Sequence, residues 1–234
     1  MLFTFLSQVD SDPFRAFVTL ATFALAVLVA LTFHEFNHAL VATRLGDPTA
    51  RRLGRLSLHP RDHMDPVGTA MIFLAGFGWA KPVPVNPAYL QPGERPGMAA
   101  VALAGPLSNV VVAALFSIPV RMGVVTTPFL GFNRFVWQLE DIPGYVIGSM
   151  VFWNLLVASF NLIPLAPLDG FKVALGILPR DMATGFARLE RYGPGILMMV
   201  IMFDLLLPGP GILTNVIQPI LNTLSAVVLG RQLM

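Results

Sequence analysis

The chain has 234 residues, of which 55% are hydrophobic and only 12% are charged, and its mean hydropathy is +0.71. A soluble globular domain carries roughly 25% charged residues, so this composition excludes an ordinary soluble protein and predicts an integral membrane protein. The absence of cysteine excludes disulfides and thiolate metal sites. We attribute the small net charge of +2 to basic residues that flank membrane spans. No nucleic-acid partner is therefore expected.

The first long apolar run begins near Ala16 and continues as a predicted helix to Leu45. Gly46 suits the position after a helix end, and Pro48 cannot continue the helix. This helix would be about 45 Å long at 1.5 Å per residue, which exceeds the hydrocarbon core of about 30 Å. One end must therefore project from the bilayer, or the helix must tilt.

The segment that follows, residues 46–97, is rich in arginine and proline. Its apolar part, Val67–Ala80, is too short to span a bilayer as a helix. Gly76, Gly78 and the closely spaced prolines after them favour extended backbone. We therefore predict a short re-entrant or β-like segment near residues 67–87, which membrane depth tolerates only against protein or a wet cavity.

Further apolar runs predict an all-α integral membrane protein with about five transmembrane helices, in a range of four to six. The last two flank a Pro-Gly-Pro-Gly sequence, which indicates a tight helical hairpin. The chain shows no repeat and no soluble appendage, so residues 1–234 are expected to form a single transmembrane domain. The runs after the first cover Met98–Val120, Gly144–Ile163, Pro194–Leu207 and Ile212–Leu229.

The distribution of basic residues predicts an orientation. The connections 46–97 and 168–191 are the basic ones, so both should be cytoplasmic. The N-terminus, with Asp10 and Asp12, would then lie outside, and five spans would place Arg231 inside. The protein is expected in a cell membrane as a multi-pass protein.

His34, Glu35 and His38 lie within the first apolar helix and form a His-Glu-x-x-His pattern. Histidines four residues apart share one helix face, so two neutral imidazoles can bind one Zn²⁺. Glu35 can then act as a general base toward water at the metal. The alternative is a structural polar cluster, but three ionisable residues in an apolar helix are costly in lipid and need partners.

A catalytic zinc usually has three protein ligands and one open position, so a third ligand is required. Asp169 fits best, because it follows a proline break at the end of the third span, on the side where His34 lies. Its alternative role is that of an ordinary carboxylate in the first turn of a helix. The other candidates are expected to be loop, solvated or helix-end residues; they are His59, His63, Glu140, Asp141 and Asp204.

Asn154 and Asn161 are seven residues apart, so they share one face of the third span. Buried amides there can bridge helices. Asn161 can instead hold a substrate carbonyl or the developing oxyanion.

These motifs together resemble the site-2 protease family of intramembrane metalloproteases. The resemblance rests on His34–His38, Asn161–Gly170, Gly78–Pro87 and Ala104–Asn109, which occur in the family's order within about residues 30–175. One departure is Asn37, where the family usually has Gly or Ala.

The resemblance implies that His34, His38 and Asp169 ligate zinc and that Glu35 is the base. It implies substrate contacts at Asn161 and, in the re-entrant segment, at Gly76 and Gly78. No PDZ or CBS domain is evident, so regulation through such domains is not expected. A compact prokaryotic type in a cytoplasmic membrane, with its site toward the cytoplasm, is implied.

The expected function is zinc-dependent hydrolysis of peptide bonds within or beside transmembrane segments of protein substrates in the lipid bilayer. The alternatives are a transporter or ion-handling protein that uses the buried His and carboxylates, and a catalytically silent scaffold. Glu35 discriminates between a protease and a transporter. The sequence specifies neither the substrate nor an oligomeric state.

Overall fold

The computed structural model describes residues 12–75, 78–91, 93–126, 142–206 and 211–233. Within these ranges the protein is all-helical, as predicted, and the only β-type pairing is an isolated antiparallel bridge between Met64 and Ala80. The nine α-helices are α1 (Pro13–Arg44), α2 (Thr49–Arg52), α3 (Pro66–Ala75), α4 (Glu94–Arg121), α5 (Ile142–Asn161), α6 (Asp169–Ile177), α7 (Arg180–Ala187), α8 (Gly193–Leu206) and α9 (Ile212–Leu229).

Four of these helices, α1, α4, α5 and α9, are long and apolar enough to cross a membrane. This number lies at the lower end of the predicted range of four to six. Helix α1 has 32 residues and is therefore about 48 Å long, so it extends beyond a hydrocarbon core of about 30 Å. It ends as predicted, with Gly46 in the left-handed conformation at φ 102°.

Helices α8 and α9 were predicted to form a hairpin of two spans, but α8 does not cross the membrane. Its 14 residues reach about 21 Å, which is too short to cross. Leu197 of α8 packs against Ile163 and Leu168, near the end of α5, and the start of α9 packs there as well. Both ends of α8 therefore lie at the same end of the bundle, and only α9 returns across it.

The end of α9 lies beside the end of α4. Ser117 Oγ and an Arg121 guanidinium nitrogen of α4 donate to the Val228 carbonyl at 3.1 and 3.3 Å. Val228 also shares a core cluster with Tyr145, near the start of α5. Arg231 was predicted to lie on the same side of the membrane as the basic connections. This prediction is wrong: α8 does not cross, so the last span runs in the opposite direction and ends beside the end of α4.

The segment predicted to be re-entrant or β-like has two parts. Residues 66–75 form the ten-residue helix α3, which packs on α1 through an edge-to-face contact of Phe23 and Phe73. From Gly78 the chain continues without regular structure to a 3₁₀ turn at Pro87–Tyr89.

Two buried side chains hold the segment after Gly78 in place. The Arg55 guanidinium donates to the Lys81 and Pro82 carbonyls. Asp47 accepts from the Asn86 amide at 2.7 Å and from Thr49. Burial raises the pKa of Asp47, but these hydrogen bonds outweigh it and leave the pKa below its ordinary value.

The proline break predicted after the third span is present. Helix α5 ends at Asn161, and α6 starts at Asp169. A side chain on Gly170 would collide with the Leu162 carbonyl, so the first turn of α6 sits directly against the chain that leaves α5.

The four-span arrangement makes a direct prediction, and the cysteine-free sequence suits its test. Arg61→Cys and Gln232→Cys place single thiols at exposed positions at opposite ends of the bundle. A membrane-impermeant maleimide applied to sealed vesicles is expected to label one variant from outside, and the other only after permeabilisation. Labelling of both from the same side would contradict the described packing of α9.

Candidate metal centre and active site

The His-Glu-x-x-His pattern lies in α1 with all three side chains buried. The His34 and His38 rings are one turn apart, with centroids 4.6 Å apart and planes nearly perpendicular. Asn37 donates to the Phe33 carbonyl of its own helix at 2.8 Å, so the departure at this position leaves both histidines in place.

Asp169 meets the two histidines from α6. Its Oδ2 lies 2.9 Å from His34 Nε2 and 3.2 Å from His38 Nε2. Among the described residues, these three form the group of His, Asp and Glu whose ligand atoms converge, all within 4.8 Å of one another. The structure therefore brings together the ligand set predicted from the sequence.

The remaining ligand candidates lie elsewhere. His63 is buried in the loop and donates from Nε2 to the Ser57 carbonyl at 2.6 Å. Asp204 accepts from the backbone amides of Ile212 and Leu213, so it caps α9 as a helix-end residue. Glu140 and Asp141 lie outside the described residues.

Helix α4 fixes how the two imidazoles point. His34 Nδ1 donates to Asn109 Oδ1 at 2.7 Å, and His38 Nδ1 donates to the Val101 carbonyl at 2.7 Å. The direction follows because a carbonyl can only accept, and Asn109 uses its amide hydrogens on the Ala30 carbonyl and Asn154 Oδ1. When both imidazoles are neutral, as metal ligation requires, each presents an unprotonated Nε2 to Asp169.

This arrangement fits a metal ion. With both imidazoles neutral, two Nε2 lone pairs and a carboxylate oxygen face one another, which is the donor arrangement that a shared cation needs. Donor atoms bound tetrahedrally to zinc at about 2.0–2.1 Å lie about 3.3 Å apart, close to the observed separations. Two imidazoles and one carboxylate with an open fourth position are a ligand set of catalytic zinc, and both imidazoles have the second hydrogen bond typical of metal ligands.

Gly105 of α4 provides the room for this centre. A Cβ at this position would lie 2.5 Å from His38 Nε2 and 2.6 Å from His34 Nε2. Ser108, one turn later, donates to the Gly105 carbonyl and to the Phe33 carbonyl of α1. The backbone of α4 therefore packs directly on the metal-binding turn of α1.

A cavity of about 630 Å³ opens beside the centre, and its lining is mostly apolar. His34, Glu35, His38 and Asp169 all border it. Within the described residues the Glu35 side chain makes no hydrogen bond, so its carboxylate is available to a molecule in the cavity. Apolar residues of α1, α4, α5, α9 and the segment 79–85 form most of the remaining wall.

Two of the predicted substrate residues border the same cavity. Asn161 donates one amide hydrogen to the Val157 carbonyl at 3.0 Å and keeps a second one. Gly78 also lines the cavity, and a side chain at this position would collide with the Gly68 carbonyl. Gly76 is outside the described residues.

Sequence reasoning missed the supporting roles of Val101, Gly105 and Asn109. Asn109 is fully buried and connects His34 to Asn154, which confirms the helix-bridging role considered for Asn154. An amide within an apolar span is a signal for such a role. The close approach at Gly105 carries no comparable signal, because it depends on how two distant helices pack.

Replacement of Gly105 by alanine tests the close approach. The added methyl group must displace one or both imidazoles, so Gly105→Ala is expected to lose most bound metal while the protein still inserts into membranes. Gly195→Ala is the matched control, because its Cβ would meet nothing within 4 Å. Metal content of the purified proteins is the measurement, and wild-type metal content in Gly105→Ala would contradict the described geometry.

Comparison with known proteins agrees with this geometry. The model of peptidase family M50 matches residues 22–203. "Putative zinc metalloprotease YwhC" of Bacillus subtilis is 35% identical over 179 residues, which cover 72% of this chain and 74% of the relative. "Putative zinc metalloprotease Rip2" of Mycolicibacterium smegmatis is 27% identical over 199 residues, covering 80% of this chain and 70% of the relative. No solved structure matches the chain.

The matched residues include the three converging ligands, Glu35 and Asn161. The relatives are named zinc metalloproteases, and the His-His-Asp group supplies a fitting metal site. The four apolar helices and the family together show a multi-pass membrane protein. The resemblance to the site-2 protease family is confirmed, and the chain belongs to peptidase family M50.

Proposed function

We propose that the protein is an intramembrane zinc metalloprotease that hydrolyses peptide bonds within or beside transmembrane segments of membrane proteins. The observation that carries this proposal is the convergence of two imidazoles and a carboxylate next to a second, unengaged carboxylate, all facing one cavity. The cavity lies among helices of membrane-spanning length.

In this proposal His34, His38 and Asp169 hold the zinc ion and Glu35 is the general base. Bound zinc supplies Lewis-acid polarisation of the scissile carbonyl and makes water a stronger nucleophile. Glu35 takes a proton from the attacking water and delivers it to the amine nitrogen of the leaving product. Asn109 and the Val101 carbonyl keep both imidazoles in the required tautomer.

The substrate has to reach the centre in extended form, because the carbonyls of an intact helix are hydrogen-bonded within the helix. The segment from Gly78 to Asn86 supplies backbone beside the cavity for pairing with such a strand. We assign Gly78 to this surface, and a substrate contact at Gly76 stays a prediction from the family resemblance. Asn161 would donate its second amide hydrogen to a substrate carbonyl or to the developing oxyanion.

We further propose that the centre lies toward the cytoplasmic side of a prokaryotic cell membrane. Eleven of the fifteen Lys and Arg residues lie between Arg44 and Arg95 or between Lys172 and Arg191. Both stretches lie at the end of the bundle that carries the metal centre, which the positive-inside rule assigns to the cytoplasm. Water would enter from that side.

The proposal predicts separate effects on metal binding and on cleavage. Glu35→Gln keeps all three ligands, so metal content should equal that of the wild type. Loss of the proton acceptor should lower the cleavage rate of a single-span substrate by about 10²–10⁴-fold. Glu190→Gln removes an exposed carboxylate and is the matched control.

These variants are compared in proteoliposomes by metal analysis and by gel-based cleavage assays. Cleavage by Glu35→Gln at the wild-type rate would contradict the proposed mechanism. Metal-dependent ion flux through the wild type, without cleavage of any substrate, would favour the ion-handling alternative.

A further inference from the structure

Lys172 is the one Lys or Arg side chain among the described residues that line the cavity. It lies in α6, one helical turn after Asp169, and is half-buried. Within the described residues it has no hydrogen bond and no ion pair. A lysine beside an apolar surface normally extends its ammonium group to water or pairs it, so an unpaired one that borders this cavity needs an explanation.

The backbone that carries Lys172 is fixed on both sides. The Arg95 guanidinium donates to the Leu175 carbonyl at 2.6 Å and to the Leu178 carbonyl at 2.7 Å, which ties the end of α6 to the start of α4. At the other end, Gly170 packs against the Leu162 carbonyl. The ammonium group therefore extends from a rigid helix.

The charges around the centre leave Lys172 unbalanced. If zinc is held by two neutral imidazoles and Asp169, the carboxylates of Asp169 and Glu35 together would match its two positive charges. With zinc bound, the charge of Lys172 has no further counterpart among the described residues of the cavity lining. A molecule that fills the cavity and carries a carboxylate would supply it, and a partly desolvated pair of this kind contributes more than one on the surface.

We infer that Lys172 forms a subsite for a carboxylate of the substrate, so that the protease selects segments with an acidic side chain close to the scissile bond. This inference rests on the proposed function. The subsite lies on the flank of the metal centre that faces the basic connections, because α6 runs from Asp169 toward Leu178, which Arg95 binds at the start of α4. The selected residue would thus sit where a transmembrane segment leaves the bilayer.

The reach of the side chain limits the position. Lys172 lies about 4.5 Å along the helix axis from Asp169, and its side chain adds about 6 Å. An extended substrate advances about 3.3 Å per residue, so the acidic residue lies within about three residues of the scissile bond.

The test is a charge swap between enzyme and substrate. Single-span peptides carry Asp, Asn or Lys at each of the three positions on either side of the scissile bond. The wild type in neutral phosphatidylcholine nanodiscs is expected to prefer Asp over Lys by at least about tenfold in kcat/KM at one position. Lys172→Glu is expected to reverse this preference at the same position. Arg188→Glu is the matched control, because Arg188 is exposed, does not line the cavity and lies outside the segment proposed to bind substrate.

A binding measurement gives a second readout. In a Glu35→Gln background, fluorescently labelled Asp peptides are expected to bind more tightly than Lys peptides, and Lys172→Glu is expected to reverse the order. Equal preference for all three peptides, or an equal effect of Lys172→Glu on all of them, would overturn the subsite while the protease activity stands. An effect of Lys172→Glu that appears only with anionic lipids would assign the charge to lipid phosphate and overturn it too. Cleavage of no peptide by the wild type would overturn both proposals.

Discussion

The arrangement of this protein depends on one constraint: ionisable side chains within an apolar helix require polar partners or a cavity, because lipid supplies no partner. His34 and His38 meet this requirement through Asn109 and the Val101 carbonyl on one side and through Asp169 on the other. Helix α4 must therefore lie against α1 closely enough for Gly105 to touch both imidazoles. The contacts that orient the two histidines are therefore also contacts that pack α1 against α4.

The second half of the chain delivers the third ligand. Helix α5 stops at Asn161, and the prolines that follow redirect the chain so that α6 enters with Asp169 in its first turn. Arg95 then fastens the far end of α6 to α4, which already carries the acceptors for the histidines. A carboxylate on a flexible loop would have many positions available. Here the helix holds it beside both imidazoles, and the cavity remains open beside Glu35.

Much of this could be predicted from the sequence, for physical reasons that also set the limit. The long apolar runs, the helix end at Gly46 and the spacing of His34 and His38 are local properties, and the structure agrees with them. Asp169 could be predicted as the third metal ligand, because a proline break and the order of the motifs favour it over the other candidate ligands. The position of α8 could not, since hydrophobicity does not distinguish a short helix packed at one end from a span. The supporting role of Gly105 depends on packing between distant segments, which periodicity does not report.

X-ray absorption at the zinc edge of the purified wild-type protein tests the central claim most directly, when it is combined with metal stoichiometry. Two imidazole nitrogens and a carboxylate oxygen predict about one zinc per chain, and a first coordination shell of nitrogen and oxygen at about 2.0–2.2 Å with the outer scattering of two imidazoles. Asp169→Ala should retain the imidazole signal but hold less metal. A shell with fewer than two imidazoles, or full metal content and an unchanged spectrum in Asp169→Ala, would contradict this account.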